Sequence, residues 1–366
     1  MSETTMMQLL LWFHVAVAGG VAALAWWLPA LTRRDLYFAV TVEPAWRAGA
    51  EGRQALAVYR RWWVALVLLP VVAAVVCALA LEPTIALYVV TAAIMVEVVG
   101  LLAGFLAARR RVLPAAVESA DRPAAEPVVE ARLPGGWLGQ AGPFLIVAAA
   151  ALVLALAWDA VPDRYPVHYD ASFQPDGWAE RSLAGVAMPF ALALVFMLPM
   201  WWMQWALVRR AHQAASGGGA ASEVRRRVAN AEVLLGAVYL IAADFAVIAL
   251  APLFQGGRET ARAWLTAVIG FTVVGSFGLI AWLVVRLLPL YAARRDEGAT
   301  GAALGDRTAD EHWKMGLFYY NPGDPSLFIE KRFGIGYTMN MARPVVWGML
   351  GALLVLPLLL ILLFTL

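Results

Sequence analysis

One short stretch gathers more side chains capable of chemistry than any other. Residues 162–181 read P-D-R-Y-P-V-H-Y-D-A-S-F-Q-P-D-G-W-A-E-R. His168 with Asp170 and Asp176 supplies the groups for proton exchange, or for holding a ligand or metal ion at a surface. The spacing fits no standard zinc pattern, which calls on several His or Cys ligands, and it offers too few alternating oxygens for calcium. Tyr165, Trp178 and Arg181 add aromatic and cationic contacts. The stretch therefore reads either as a binding site or as a hairpin anchored by aromatics at a lipid–water interface. Pro175, Asp176 and Gly177 encode its turn: Pro presets φ, Asp bonds its own backbone, and Gly tolerates positive φ.

A second set is ionisable and lies inside apolar runs: His14, Glu97 and Asp244. At 1.5 Å per helical residue they sit at depths of roughly 10, 20 and 14 Å below one face, so the three fall in one band. A bare carboxylate there costs at least about 2.5–3.5 kcal/mol, so each needs a partner, a proton or water. The set reads either as hydrogen-bonded packing groups or as a polar cavity. Pro70, Pro189, Pro199 and Pro289 are placed to kink their helices around such a cavity.

A third segment, Trp313 to Arg343, is rich in aromatics and turn residues. Asn321-Pro322-Gly323-Asp324-Pro325 cannot be helical. The flanking runs 317–320, 327–331 and 337–341 have the composition of short strands. Tyr319, Asn321, Asp324, Lys331, Arg332, Tyr337 and Asn340 are its candidate functional residues, with Glu330, Lys331 and Arg332 expected to be solvated or lipid-facing. Gly334-Ile335-Gly336 lacks the third Gly and the strand-to-helix context of a nucleotide loop.

The elements that must position these groups are membrane helices. The chain is 62% hydrophobic and only 15% charged, which excludes a soluble globular domain. Apolar runs near 7–30, 63–81, 84–107, 142–160, 184–207, 231–253, 263–288 and 345–366 each approach the roughly 20 residues that cross a bilayer as a helix. The expected fold is an all-α polytopic membrane protein of about eight helices, with a small β-hairpin-like module before the last. Five regions follow: 1–141, 142–207, 208–290, 291–344 and 345–366.

Counting Arg286 at the end of the seventh run, every Lys and Arg except Arg164, Arg181, Arg258 and Arg262 falls in alternate loops. Positive residues remain cytoplasmic during insertion, so residues 162–181 and both termini are expected outside, in a bacterial cell membrane. The first span lacks a basic leader and reads as retained rather than cleaved. Residues 45–61 read as a helix lying on the surface, with Trp46, Leu56, Trp62 and Trp63 near the headgroups. Arg225–Arg227 read as topology anchors touching anionic lipid. No basic, aromatic surface suits nucleic acid. No cofactor is implied, the metal question stays open, and Cys77, the sole cysteine, reads as a packing residue.

The 162–181 stretch resembles the signature of the SdpI-like family of bacterial membrane proteins, which includes immunity proteins against a sporulation-delaying toxin. Pro162, Pro166, His168, Tyr169, Asp170, Pro175, Asp176, Gly177, Trp178 and Arg181 carry the likeness, while Phe173 stands where the signature has Gly. The 313–340 segment is similar to a module of unknown function that accompanies that signature in bacterial proteins. The resemblance implies a receptor or immunity protein that recognises an extracytoplasmic peptide toxin or envelope ligand, with a cytoplasmic protein partner held by the module. Two alternatives stand beside it. One is a proton-coupled transporter using Glu97, Asp244 and His14. The other is a membrane-embedded enzyme with an outer-face site around His168, Asp170 and Asp176.

Overall fold

The computed structural model describes residues 3–119, 125–127, 132–169, 174–209, 212–213, 220–254, 258–295, 304–306 and 308–365. Among them eight helices are long and apolar enough to cross a membrane: Leu10–Leu31, Ala50–Ala80, Pro83–Ala115, Gly136–Leu156, Leu183–Val208, Ser222–Phe254, Ala263–Arg294 and Pro344–Leu362. The protein is an all-α polytopic membrane protein with small two-stranded sheets at its ends. Its outer surface is lipid-compatible, with Leu79, Tyr88, Leu156, Leu183 and Val274 among the exposed apolar side chains.

In chain order, α1 (Glu3–Leu31) leads into a tight hairpin of β1 (Leu36–Tyr37) and β2 (Val40–Thr41). The turn residues Phe38 and Ala39 take positive φ, 45° and 61°. Helices α2 (Pro44–Ala48), α3 (Ala50–Trp63) and α4 (Leu69–Ala80) follow, with α3 and α4 joined by a single wide turn at Val64–Leu68. That turn has a cause: Pro70 carries no N–H, and its ring would crowd the preceding carbonyl in a regular helix. Next come α5 (Pro83–Val112), strand β3 (Ala125–Pro127) and α6 (Gly136–Leu156). The hairpin β4 (Arg164–Tyr169) and β5 (Pro175–Glu180) leads to α7 (Leu183–Arg209), β6 (His212–Gln213), which pairs with β3, α8 (Ala220–Leu250) and α9 (Arg258–Arg294). The last portion holds β7 (Trp313–Lys314) paired with β8 (Phe318–Tyr319), β9 (Phe328–Glu330) paired with β10 (Tyr337–Met339), then α10 (Pro344–Leu354) and α11 (Leu356–Thr365). The three strand regions expected between 317 and 341 are present.

Small residues let the helices meet closely. A Cβ on Gly100 would lie 2.4 Å from the Leu66 Cβ, and one on Gly104 would lie 2.9 Å from the Trp62 Cβ, so this Gly-x-x-x-Gly face of α5 seats the α3–α4 helix. Gly142 of α6 likewise admits Tyr239 of α8, whose hydroxyl donates to the Gly139 carbonyl at 3.0 Å.

The arginine-rich end departs from the expected spans. The helix beginning at Ala50 runs through to Ala80, a single element of 31 residues, rather than lying on the surface before a separate span. The helices Pro83–Ala115 and Ser222–Phe254 are 33 residues each, roughly 50 Å, and so extend well past about 30 Å of hydrocarbon. They overhang at their arginine-bearing ends, and residues 304–306 and 308–343 pack between the overhangs.

Candidate functional site

At the end opposite the arginines, β4 and β5 pair antiparallel with His168 opposite Gly177 and Pro166 opposite Trp178. A Cβ on Gly177 would sit 2.7 Å from the His168 Cβ, so the strand facing it requires Gly here. Pro175, Asp176 and Gly177, expected to form the turn, lie instead in β5, and Gly177 is not among the described glycines with positive φ. The exposed His168 Nδ1 donates to the Asp176 carboxylate at 2.5 Å. A carboxylate can only accept, which assigns the proton to Nδ1. This pair is solvated, so its own stabilisation is about 0–1 kcal/mol. Arg181 binds Asp163 at 2.5 Å, and Arg164 lies over the Trp178 ring at 5.0 Å. Asp170 lies outside the described residues. Among the described residues no cluster of three His, Cys, Asp or Glu is arranged to hold a metal ion.

Tyr165 behaves differently from its neighbours on the hairpin. Strand alternation turns it inward, where it is 3% exposed and packs with Leu154, Val161 and Ala249. It lines a cavity of about 370 Å³ between the hairpin and the ends of α7, α8 and α9, together with Tyr169, Met188, Phe245, Phe254 and Trp264. That volume lies in the range of small-ligand pockets. Phe254 and Trp264 stack at 4.2 Å, forming a flat apolar wall. Two donor atoms of this lining, the Tyr165 hydroxyl and the Trp264 indole Nε1, are buried without a hydrogen-bond partner among the described residues. Burial pushes the Tyr165 phenol above its ordinary pKa, so it stays an O–H donor through the neutral range. Each unmade bond costs roughly 1–3 kcal/mol, which a ligand with an acceptor would recover. Trp264 and Phe254 were not among the residues singled out from sequence, because aromatics in a membrane helix read as lipid-facing; only the pocket distinguishes them.

The intramembrane ionisable groups have separate partners. His14 Nδ1 donates to the Leu10 carbonyl one turn earlier at 2.7 Å. Asp244 accepts from the Thr272 hydroxyl of α9 at 2.8 Å. Glu97 is 1% exposed, and its Oε1 has no partner among the described residues. No hydrogen bond or ion pair joins any two of the three.

The described residues between 304 and 343 form a bracket packed onto the helices, buried at Asp306, Thr308, Trp313, Tyr319, Arg332 and Asn340 and exposed at Met315, Phe318 and Tyr320. Arg332, expected at the surface, is fully buried and binds Asp306 at 2.9 Å and also Asp310 and the Thr308 carbonyl. Burial alone would raise the Asp306 pKa, but the Arg332 guanidinium and the Thr308 bonds hold it below the usual carboxylate range. Glu330, also expected to be solvated, pairs with Arg226 of α8 at 3.1 Å and Arg294 of α9 at 3.2 Å. Arg226 and Arg227 are thus taken from lipid by Glu223 and Glu330. Lys331 is exposed, as expected.

The loop after β9 reaches both halves of the helix bundle. Phe333 enters a ring cluster with Phe38, Tyr59 and Phe105, while Ile335 packs on Ala229, Leu287 and Tyr291. Gly334 and Gly336, at φ 95° and 96°, allow the chain to turn between the two. The N-P-G-D-P turn is self-contained. Tyr319 donates to Asp324 at 2.9 Å, Asn340 donates to the carbonyls of Asn321 and Asp324, and Arg343 caps Pro322 and Asp324. Tyr319, Asn321, Asp324 and Asn340 therefore shape the turn. The Tyr337 hydroxyl faces Glu223 at 3.4 Å.

Residues 145–193 match a domain of unknown function (DUF1648), and residues 322–347 match a family of unknown function (DUF5808). The first covers most of α6, the hairpin and the start of α7; the second covers the turn, β9, β10 and the start of α10. No curated protein and no solved structure matches the chain.

Proposed function

We propose that this protein is a membrane receptor of the immunity type, which recognises an extracytoplasmic peptide toxin or envelope ligand at the hairpin end and relays its capture to a cytoplasmic partner. The observation that carries the reading is the apolar cavity beneath the hairpin with its two unsatisfied donors, Tyr165 and Trp264. An apolar side chain or acyl group fills the space, and a carbonyl accepts from the phenol. The exposed His168–Asp176 pair, on the hairpin that covers the cavity but not in its lining, offers a polar contact to the part of the ligand outside it. Arginine placement supports an orientation with the hairpin outside. The bracket that contacts α3, α5, α8 and α9 is the element through which a change at one end reaches a partner at the other. The resemblance of the 162–181 stretch to the SdpI-like signature supports the same class of ligand.

The test is survival of a strain sensitive to the sporulation-delaying peptide toxin when it expresses this chain. Wild type should protect. Tyr165→Phe and His168→Ala should protect less while reaching the membrane in normal amount. Equal survival with and without the chain sinks the reading.

Glu97, buried with an unpartnered oxygen, favours a second reading as a proton-coupled transporter. In that case Glu97→Gln abolishes activity and hairpin substitutions do not.

A further inference from the structure

The arginine-rich end carries a second cavity, and it has the opposite chemistry. It measures about 540 Å³ and opens beside the last turns of α1, between that helix, α2, α3 and the end of α9. Arg34, Arg47, Arg53, Arg60 and Arg295 line it with Trp26, and among the described residues no carboxylate is in the lining.

Several other arginines at this end are neutralised. Arg33 pairs with Asp35, Arg226 and Arg227 with Glu223, Arg294 with Glu330, and Arg332 with Asp306. Arg47, Arg53, Arg60 and Arg295 form no ion pair among the described residues. Arg47 is spent on backbone, donating to the carbonyls of Pro29, Thr32, Arg33 and Leu36, and so forms the rigid floor. Its pKa is pushed down to about 10, first by burial, with Arg295 and Arg34 repelling its charge against the pull of Tyr37 and Asp35. Arg53 gives one donor to the Ala48 carbonyl at 2.8 Å, and Arg60 is held over the Trp26 ring at 4.4 Å. Each guanidinium has five N–H donors in a planar fork that suits phosphate oxygens. Trp27, 61% exposed on the last turns of a membrane helix, marks the level of the headgroups.

We propose that this cavity binds a phosphate group, supplied by the headgroup of an anionic phospholipid, with Arg53, Arg60 and Arg295 as its ligands and Arg47 as their support. The position at the end of α1 favours a lipid over a free phosphate compound, because the acyl chains continue along the helix surface while the headgroup enters between the arginines. Bound there, the lipid bridges α1, α3 and α9.

The experiment is lipid retention by the purified full chain in detergent, read by native mass spectrometry, with phosphatidylglycerol and phosphatidylcholine supplied in equal amount. Wild type should retain phosphatidylglycerol at least about tenfold better. At about 1 kcal/mol per arginine near an anionic headgroup, the double variant Arg53→Gln, Arg60→Gln should lose roughly thirtyfold. Arg110→Gln with Arg111→Gln, at the same end but outside the cavity, should change retention less than twofold. Displacement of the lipid by millimolar inorganic phosphate would assign the site to free phosphate compounds and uphold the phosphate chemistry. Equal retention of the two lipids by wild type overturns the proposal, and needs no variant to fold. Equal loss in the two double variants overturns it as well, since the arginines would then act only as general surface charge.

Discussion

Arg332 is bound to Asp306, 26 residues earlier in the chain, through two guanidinium nitrogens, with neither group open to solvent. A second acid, Asp310, shares the same guanidinium and also accepts from the Thr41 hydroxyl at 2.8 Å. One arginine thus ties the 304–343 bracket to the β1–β2 hairpin. Arg332→Ala leaves a buried carboxylate uncompensated, a loss of about 3–5 kcal/mol. Thermal unfolding in detergent should show it as a Tm several degrees lower, and an unchanged Tm would show that the pair contributes nothing.

The same pair sets an acid limit. Asp306 has its folded-state pKa depressed, so its contribution is fully present above the unfolded value of about 3.9 and is lost as pH falls through the lower folded value. Stability should therefore be insensitive to this group from pH 7 down to about 5 and decline below about 4. Asp306→Asn should be less stable at neutral pH and show a shallower acid decline. Chemical denaturation at several pH values reads both slopes.

Phe333 anchors the bracket by packing its ring, stacked on Phe38 at 5.6 Å and against Phe105 at 4.7 Å. Truncation to Ala should cost about 3–5 kcal/mol, while Phe333→Leu, which keeps most of the volume, should cost clearly less. If the two variants unfold at the same temperature, ring packing is not what holds the bracket.

At the other end, Gly177→Ala drives a methyl group against His168. The hairpin is exposed, so the strain of about 1–3 kcal/mol should be relieved by local opening rather than by global unfolding. Hydrogen exchange across 164–180 should accelerate while the global Tm moves little.

Glu97 offers a test that separates the functional readings. Its carboxyl is buried in α5 without a partner for Oε1, so an uncharged isostere fits the same space. Glu97→Gln should leave the unfolding free energy within about 1 kcal/mol of wild type or raise it, read as an unchanged or higher Tm. Under the receptor reading toxin protection also survives the change; its disappearance in a stably folded variant would favour transport.

Sequence by itself determined the membrane architecture. Eight apolar runs become eight helices because lipid leaves the backbone no alternative to internal hydrogen bonding. A hairpin within 162–181 and the short strands near 318, 328 and 337 were legible too, from aromatic and β-branched runs between turn residues. The place of the hairpin turn was not, since Pro175, Asp176 and Gly177 pair within β5. Their partners were not legible. Arg332 looks solvated in sequence and is buried, because Asp306 and Asp310 reach it only when the bracket folds between the overhanging helices. Tyr165 and Trp264 lie 99 positions apart, and periodicity cannot show that both face one cavity. Tertiary structure decided which charges pair, which donors stay unpaired and where the two cavities open, because those depend on which side chains meet across the bundle, and local backbone chemistry carries no record of that.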